Sequence, residues 1–282
     1  MNDTILQYEK LIRLACFFGI FAVVALWEIA YPRRPLTTSK GVRWVSNLGI
    51  VVINTVLLRL MFPTAAVGMA FWVGERGWGL FNTVTVPYWV AVVLSAVALD
   101  FVIYLQHVMF HAVPTFWRLH MMHHADLDFD LTTGSRFHPI EIILSMVIKF
   151  AAIVVLGAPA LGVLVFEILL NGTAMFNHGN IFVPENLDRA LRLVVVTPDM
   201  HRVHHSVFPS ETNSNFGFNL PWWDRLMGTY RPQPSRGHAR MTIGLHQFRD
   251  PARLTLPWML ALPFAGKPGS YPINRRGTSG EA

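Results

Sequence analysis

The chain has 282 residues, 52% of them hydrophobic and only 14% charged, and its mean hydropathy is +0.39. Soluble domains carry about 25% charged residues, so this composition excludes an ordinary soluble fold and points to a membrane. The net charge of +6 comes without any basic run interleaved with aromatics. It therefore reads as lysine and arginine flanking membrane spans rather than as a nucleic-acid surface. With Cys16 as the only cysteine, no intrachain disulfide can form.

In chain order, residues 11–31 (LIRLACFFGIFAVVALWEIAY) are long and apolar enough for a first span, with Trp27 and Tyr31 at its edge. No small-residue cleavage site follows, so the segment reads as a retained anchor. The loop from Pro32 to Trp44 holds Arg33, Arg34, Lys40 and Arg43 and is expected in the cytoplasm by the positive-inside rule. Residues 46–73 form a second apolar stretch broken at Pro63. Arg59 within it needs a partner, with Asp100 a candidate, or a route to the interface. After a short loop, Tyr88 to Phe110 return across the membrane. Ile140–Leu156 and Leu161–Phe176, joined by Gly157-Ala158-Pro159-Ala160, read as a hairpin with Lys149 and Glu167 as candidate partners. The chain is mixed and polar from Gly179 onward, and Lys267 to Ala282 has the composition of a disordered tail. The expected fold is all-α: an integral membrane helical bundle with a cytosolic, histidine-rich, metal-binding cap. Its expected division is 1–87 for N-terminal spans, 88–250 for the histidine-rich domain and 251–282 for the C-terminal tail.

The histidines organise everything else. His107 and His111 are four apart, and His120, His123 and His124 repeat the spacing of His201, His204 and His205. Residues three and four apart share a helix face, so each cluster can aim two or three imidazoles at one point. Neutral imidazole suits iron, zinc, copper or nickel. Catalytic zinc needs about three protein ligands and structural zinc about four, so eight donors suffice for two metals. Thr197-Pro198-Asp199 reads as an N-cap, an N1 proline and a first-turn acid, and Pro114 can start the helix carrying His120. His138 and His178, at the two ends of the hairpin, are further candidate ligands. His238 and His246 have no matching partner and read as surface or structural residues. Asp100 lies on one stripe with Tyr104, His107 and His111. It is either an acceptor that orients an imidazole or a hydrogen-bonding link between helices. With an outside N-terminus, this topology brings all the candidate ligands to one membrane face.

HVMFH, HMMHH and HRVHH together resemble the three histidine boxes of the fatty acid hydroxylase/sterol desaturase superfamily. RFHPIE, Asn177-His178 and WWDRLMGTY resemble its bacterial members, and the similarity covers roughly residues 40–250. The resemblance implies a non-haem dinuclear centre, normally two iron ions, in a membrane bundle. It implies O2 as co-substrate, a lipid as substrate, and hydroxylation or desaturation as the reaction. Its motifs carry the ligand role to His107, His111, His120, His123, His124, His201, His204 and His205. Where the fatty acid 2-hydroxylase branch has an HxxxH pair, this chain has Ala174 and His178, which argues against that branch's substrate. No Rossmann glycine fingerprint, CxxCH or iron–sulfur cysteine set is present, so electrons are expected from a separate electron-transfer protein. The expected location is multi-pass in a bacterial inner membrane, with the metal site facing the cytoplasm. The competing classes are a zinc-dependent membrane hydrolase, against which the absence of HExxH counts, and a metal-binding or transport protein. A transporter would place its ligands near the bilayer midplane.

Overall fold

The computed structural model describes residues 6–265 and 267–274. Among them, five helices are long and apolar enough to cross a membrane, and the chain is a multi-pass membrane protein. Its described secondary structure is helical, with two isolated bridges and no strand. Helix α1 is Glu9–Ala30, α2 is Lys40–Met61, α3 is Ala65–Glu75, and α4 is Tyr88–Ala112. Then come α5 (Pro114–His124), α6 (Pro139–Leu156), α7 (Ala160–Asn177), α8 (Pro198–His204) and α9 (Leu256–Ala265).

Local chemistry sets these boundaries. Ser39 caps α2, and the break expected at Pro63 separates α2 from α3. Pro114, Pro139 and Pro198 each open a helix at its first turn, where the missing N–H costs nothing. Thr197 accepts from the Met200 amide at 3.3 Å, the cap expected from sequence. Helix α6 ends on Gly157 at φ +63, and a Cβ there would lie 2.6 Å from the Trp78 carbonyl oxygen. The end of the α6–α7 hairpin therefore seats directly on the loop at Trp78.

Helix α7 is the hub, with α1, α3, α4 and α8 packed around it. Packing between membrane helices gains nothing from leaving lipid for protein, so close contact and polar links hold it together. Gly162 lets α7 approach α4 closely at Val92 and Ser95. Lys149 donates to Glu167 at 2.8 Å, the pairing anticipated from sequence, and Arg13 reaches the other Glu167 oxygen at 2.8 Å.

The basic loop is tied into the histidine-bearing cap. Arg43, fully buried at the start of α2, grips Asp126 with two hydrogen bonds of 2.7 and 2.9 Å and also pairs with Asp130. Burial opposes a charge on Asp126, but Arg43 and Arg136 outweigh it and hold the carboxyl down at about 2. Arg33 pairs with Asp199 at 3.1 Å, and Arg34 donates to the Met241 carbonyl at 2.9 Å.

Two sequence expectations need correction. Asp100 does not meet Arg59: its carboxylate accepts from the amides of Asn219 and Leu220 and from Trp223 Nε1 at 3.3, 3.2 and 2.8 Å. Residues 251–282, read as a tail, begin with a 3₁₀ turn at Pro251–Leu254 and then form α9, which packs on α5 and α2. The disordered tail expected at 267–282 falls partly on residues 275–282, which lie outside the described residues.

Candidate metal centre

The three histidine clusters ride on α4, α5 and α8, which the fold stacks at one end of the bundle. All eight box histidines are buried, with exposures of 0–3%. His107, His111, His120, His124 and His204 form one group, and His123, His178, His201 and His205 form a second. Within each group the candidate ligand atoms lie within 4.8 Å of one another. Helical geometry explains the division. His120 and His124, four apart, share a face and serve the first group, while His123 is turned away by about 100° from His124. In the third cluster, His201 and His205 serve the second group and His204 the first.

Hydrogen bonds on the far side of the rings decide which nitrogen faces inward. A carbonyl oxygen can only accept, so Nδ1 of His107, His178 and His204 donates to the carbonyls of Phe216, Ala174 and Ser214 at 2.7, 2.8 and 2.8 Å. Asn213 donates its amide nitrogen to the Tyr271 carbonyl at 2.7 Å, which turns its oxygen toward His111 Nδ1 at 3.0 Å. In these four rings Nε2 is therefore a bare lone pair aimed into the site. His120 is oriented by Glu141, with Nδ1 to Oε1 at 2.7 Å.

The imidazoles are also neutral. Burial, reinforced by neighbouring imidazoles, holds His123, His124, His201, His204 and His205 well below the usual histidine range. Burial takes His120 and His178 down to about 3. Inside the groups, Nε2 atoms approach to 3.1 Å for His107 and His120, 3.1 Å for His111 and His124, and 3.2 Å for His178 and His123. His204 Nε2 and both nitrogens of His205 are buried with no protein partner. Such orphaned atoms cost roughly 1–3 kcal/mol each. Neutral imidazole lone pairs converging on two points fit a pair of cations that accept nitrogen ligands.

The structure separates the two outlying candidates. His178, at the C-terminal end of α7, falls inside the second group. His138 belongs to neither: its Nδ1 caps α6 through the Ile140 amide at 3.2 Å, and its Nε2 lies 3.3 Å from the Leu260 carbonyl on α9. Among the described residues, Asp100 makes no hydrogen bond to an imidazole. It braces the 219–223 turn, and Asp224 braces the strip before it, accepting from the amides of Phe216 and Gly217 at 2.7 and 2.8 Å. His238, read as surface or structural, is buried with Nε2 3.7 Å from Asp199, and His246 is exposed. Sequence reasoning missed Glu141 and Asn213 and the carbonyls that set the tautomers. Glu141 stands in RFHPIE, two residues after the proline that opens α6. That proximity was the available signal.

A cavity of about 610 Å³ opens beside the first group. His107, His120 and Glu141 form its inner end, with Phe110, Phe137 and Phe218 among its apolar walls.

A family model described as fatty acid hydroxylase matches residues 92–229, the segment that carries all three clusters. This match and the relatives that follow support the fatty acid hydroxylase superfamily. Over 146 residues it is 32% identical to an ornithine lipid hydroxylase, OlsE, of Rhizobium tropici, covering 51% of this chain and 43% of that protein. It is 27% identical over 160 residues to the alkylglycerol monooxygenase of Xenopus tropicalis, covering 55% of this chain and 34% of that one. The human alkylglycerol monooxygenase is 25% identical over 175 residues, 61% of this chain and 38% of the relative. The chain thus spans less than half the length of these curated relatives. No solved structure matches it.

Proposed function

We propose that the chain is an O2-dependent membrane hydroxylase of a lipid, with His107, His111, His120, His124 and His204 holding one iron ion and His123, His178, His201 and His205 a second. What carries this reading is the junction of two all-imidazole groups with an apolar cavity inside a membrane bundle. The relatives' names, a lipid hydroxylase and monooxygenases, support the same reaction class. When bound, a redox-active metal pair would supply, with O2, the oxidant that an unactivated C–H bond requires and that no side chain can provide.

The protein's own part is orientation, exclusion and proton placement. The Phe216, Ser214 and Ala174 carbonyls, with Asn213, fix the ring tautomers so that lone pairs face inward. Glu141, which lines the cavity, holds the Nδ1 side of His120, and its second oxygen is buried without a partner. Phe110, Phe137 and Phe218 keep water from the inner end and offer an alkyl chain an apolar path. Electrons come from a separate electron-transfer protein. The site faces the cytoplasm of a bacterial cell, the chain lying in the inner membrane.

The test supplies iron-loaded chain with reductant, a lipid extract and 18O-labelled O2. Label in a lipid product, lost together with bound metal in His204→Ala, is the expected result. A new double bond without label would make the enzyme a desaturase. An unchanged lipid pool with a reducible metal centre and several electron donors tried would reject the oxygenase reading. It would leave the zinc hydrolase and transport classes standing.

A further inference from the structure

The cavity has a second end, and that end is charged. Opposite the histidines it is bordered by Lys10, Arg13, Arg59 and Lys149, against only two acids, Glu9 and Glu167. Glu167 is shared by Lys149 and Arg13, both at 2.8 Å, and Glu9 lies 3.7 Å from Arg13. Lys10 and Arg59 make no hydrogen bond or ion pair among the described residues. Among the described residues, four cations therefore face two carboxylates at this end of a largely apolar cavity, and the exposed Lys10 and Arg59 are the two without an acid. Lys10 and Arg59 are exposed in the first turn of α1 and the last turn of α2, where a long basic side chain can carry its charge to a polar group.

Helix α6 measures the distance between the two ends. Glu141, bonded to His120, and Lys149, bonded to Glu167, lie on the same stripe of this helix and both border the cavity. They are eight residues apart, which is about 12 Å at the helical rise. The path between them runs past Ile142, Ser145 and Met146.

We propose that the cationic end binds the anionic headgroup of the lipid, a carboxylate or a phosphate, with Arg59, Lys10 and Arg13 as its partners. The chain then lies along the cavity, and a carbon several methylenes from the headgroup reaches the histidines. This rests on the lipid-hydroxylase reading and narrows it to acidic single-chain amphiphiles, oxidised away from the headgroup. Neutral sterols and alcohols lack the group that would satisfy Arg59 and Lys10.

Cys16 borders the same end of the cavity, one turn from Arg13, and is the chain's only thiol. It reports occupancy without any turnover. The metal-loaded chain in nanodiscs is alkylated with N-ethylmaleimide while palmitate, hexadecyl phosphate or hexadecanol is titrated in. The expected result is protection of Cys16 by one of the two anions at a concentration about tenfold lower than for hexadecanol, as a hydrogen-bonded charge requires. Arg59→Gln, a change at an exposed residue that makes no hydrogen bond or ion pair among the described residues, should remove that preference. Equal protection by the alcohol, or a preference that survives both Arg59→Gln and Lys10→Gln, would overturn the proposal.

Orientation is read separately with photoreactive palmitates. A diazirine at the chain terminus should label the stretch around Ile103 and Phe110, and one beside the carboxylate should label Leu14 or Leu58. The reverse pattern would overturn the orientation. None of these readouts depends on oxidation, so a failed 18O experiment and a failed binding experiment remain distinguishable.

Discussion

Asp224→Asn isolates how the WWDRLMGTY segment serves the site. Asp224 is fully buried and accepts from the Phe216 amide at 2.7 Å, the Gly217 amide at 2.8 Å and Thr229 Oγ1 at 2.7 Å. The peptide thus fixed carries the Phe216 carbonyl, which receives the His107 Nδ1 hydrogen. Asparagine keeps the shape but turns an NH2 toward one of the backbone amides. One charge-assisted bond is lost and one buried donor is left facing another donor, a cost of about 2–4 kcal/mol. Because the displaced carbonyl orients a metal-facing imidazole, metal affinity should fall about 10- to 100-fold. The assay is metal content by mass spectrometry after dialysis against graded chelator, run beside thermal unfolding. Gly217→Ala should act in the same direction, since a Cβ there would lie 2.8 Å from Asp224 Oδ2. Thermal destabilisation of Asp224→Asn with a wild-type chelator midpoint would refute the link between this carboxylate and His107.

Three further outcomes are expected. His138→Ala should lose the α6 cap and the link to the Leu260 carbonyl, together about 1–3 kcal/mol, and keep full metal content by elemental analysis; loss of metal would make His138 a ligand after all. Arg43→Met leaves Asp126 and Asp130 buried without their partner and should cost about 3–5 kcal/mol, read as a lower unfolding temperature in detergent; an unchanged temperature would contradict the role given to this ion pair. Burial takes His238 down to about 3, so below the ordinary pKa of 6.5 the unfolded chain binds a proton that the folded chain refuses. Stability is therefore present above pH 6.5 and is lost as pH falls from 6.5 toward 3. His238→Gln should flatten that slope by up to about 1.4 kcal/mol per pH unit, and identical slopes would show that the ring is not held neutral.

The parts legible in sequence were those written in local chemistry. Proline at the first turn of α5, α6 and α8, the Thr197 cap and the spacing of the histidine clusters each name their own geometry. His138 and His178 looked equivalent because each flanks the same hairpin. What distinguishes them is position on the helix ends: His178 closes α7 and turns into the second group, whereas His138 opens α6 and faces α9. Helix α9 itself was hidden, being ten residues with Pro257 and Pro263 inside the run LPWMLALPFA, too short to span and rich in breakers. The orienting acceptors were least accessible, since the carbonyls of Phe216, Ser214 and Ala174 belong to the main chain and no side chain announces them. The basic loop carried two meanings. Arg33, Arg34 and Arg43 read as topology signals, and each also grips the cap through Asp199, Met241 or Asp126.

The division of each HxxHH cluster between the two histidine groups removes any mechanical independence between them. A short helix that contributes to both groups cannot tilt, slide or unwind without displacing donors on either side at once. α5 and α8 each act as such a crossbar, so a change that refines one half of the site perturbs the other. Redesign for a different metal must therefore treat all of these imidazoles as one mechanical unit, and a single-ion version of this scaffold cannot be reached by deleting one cluster.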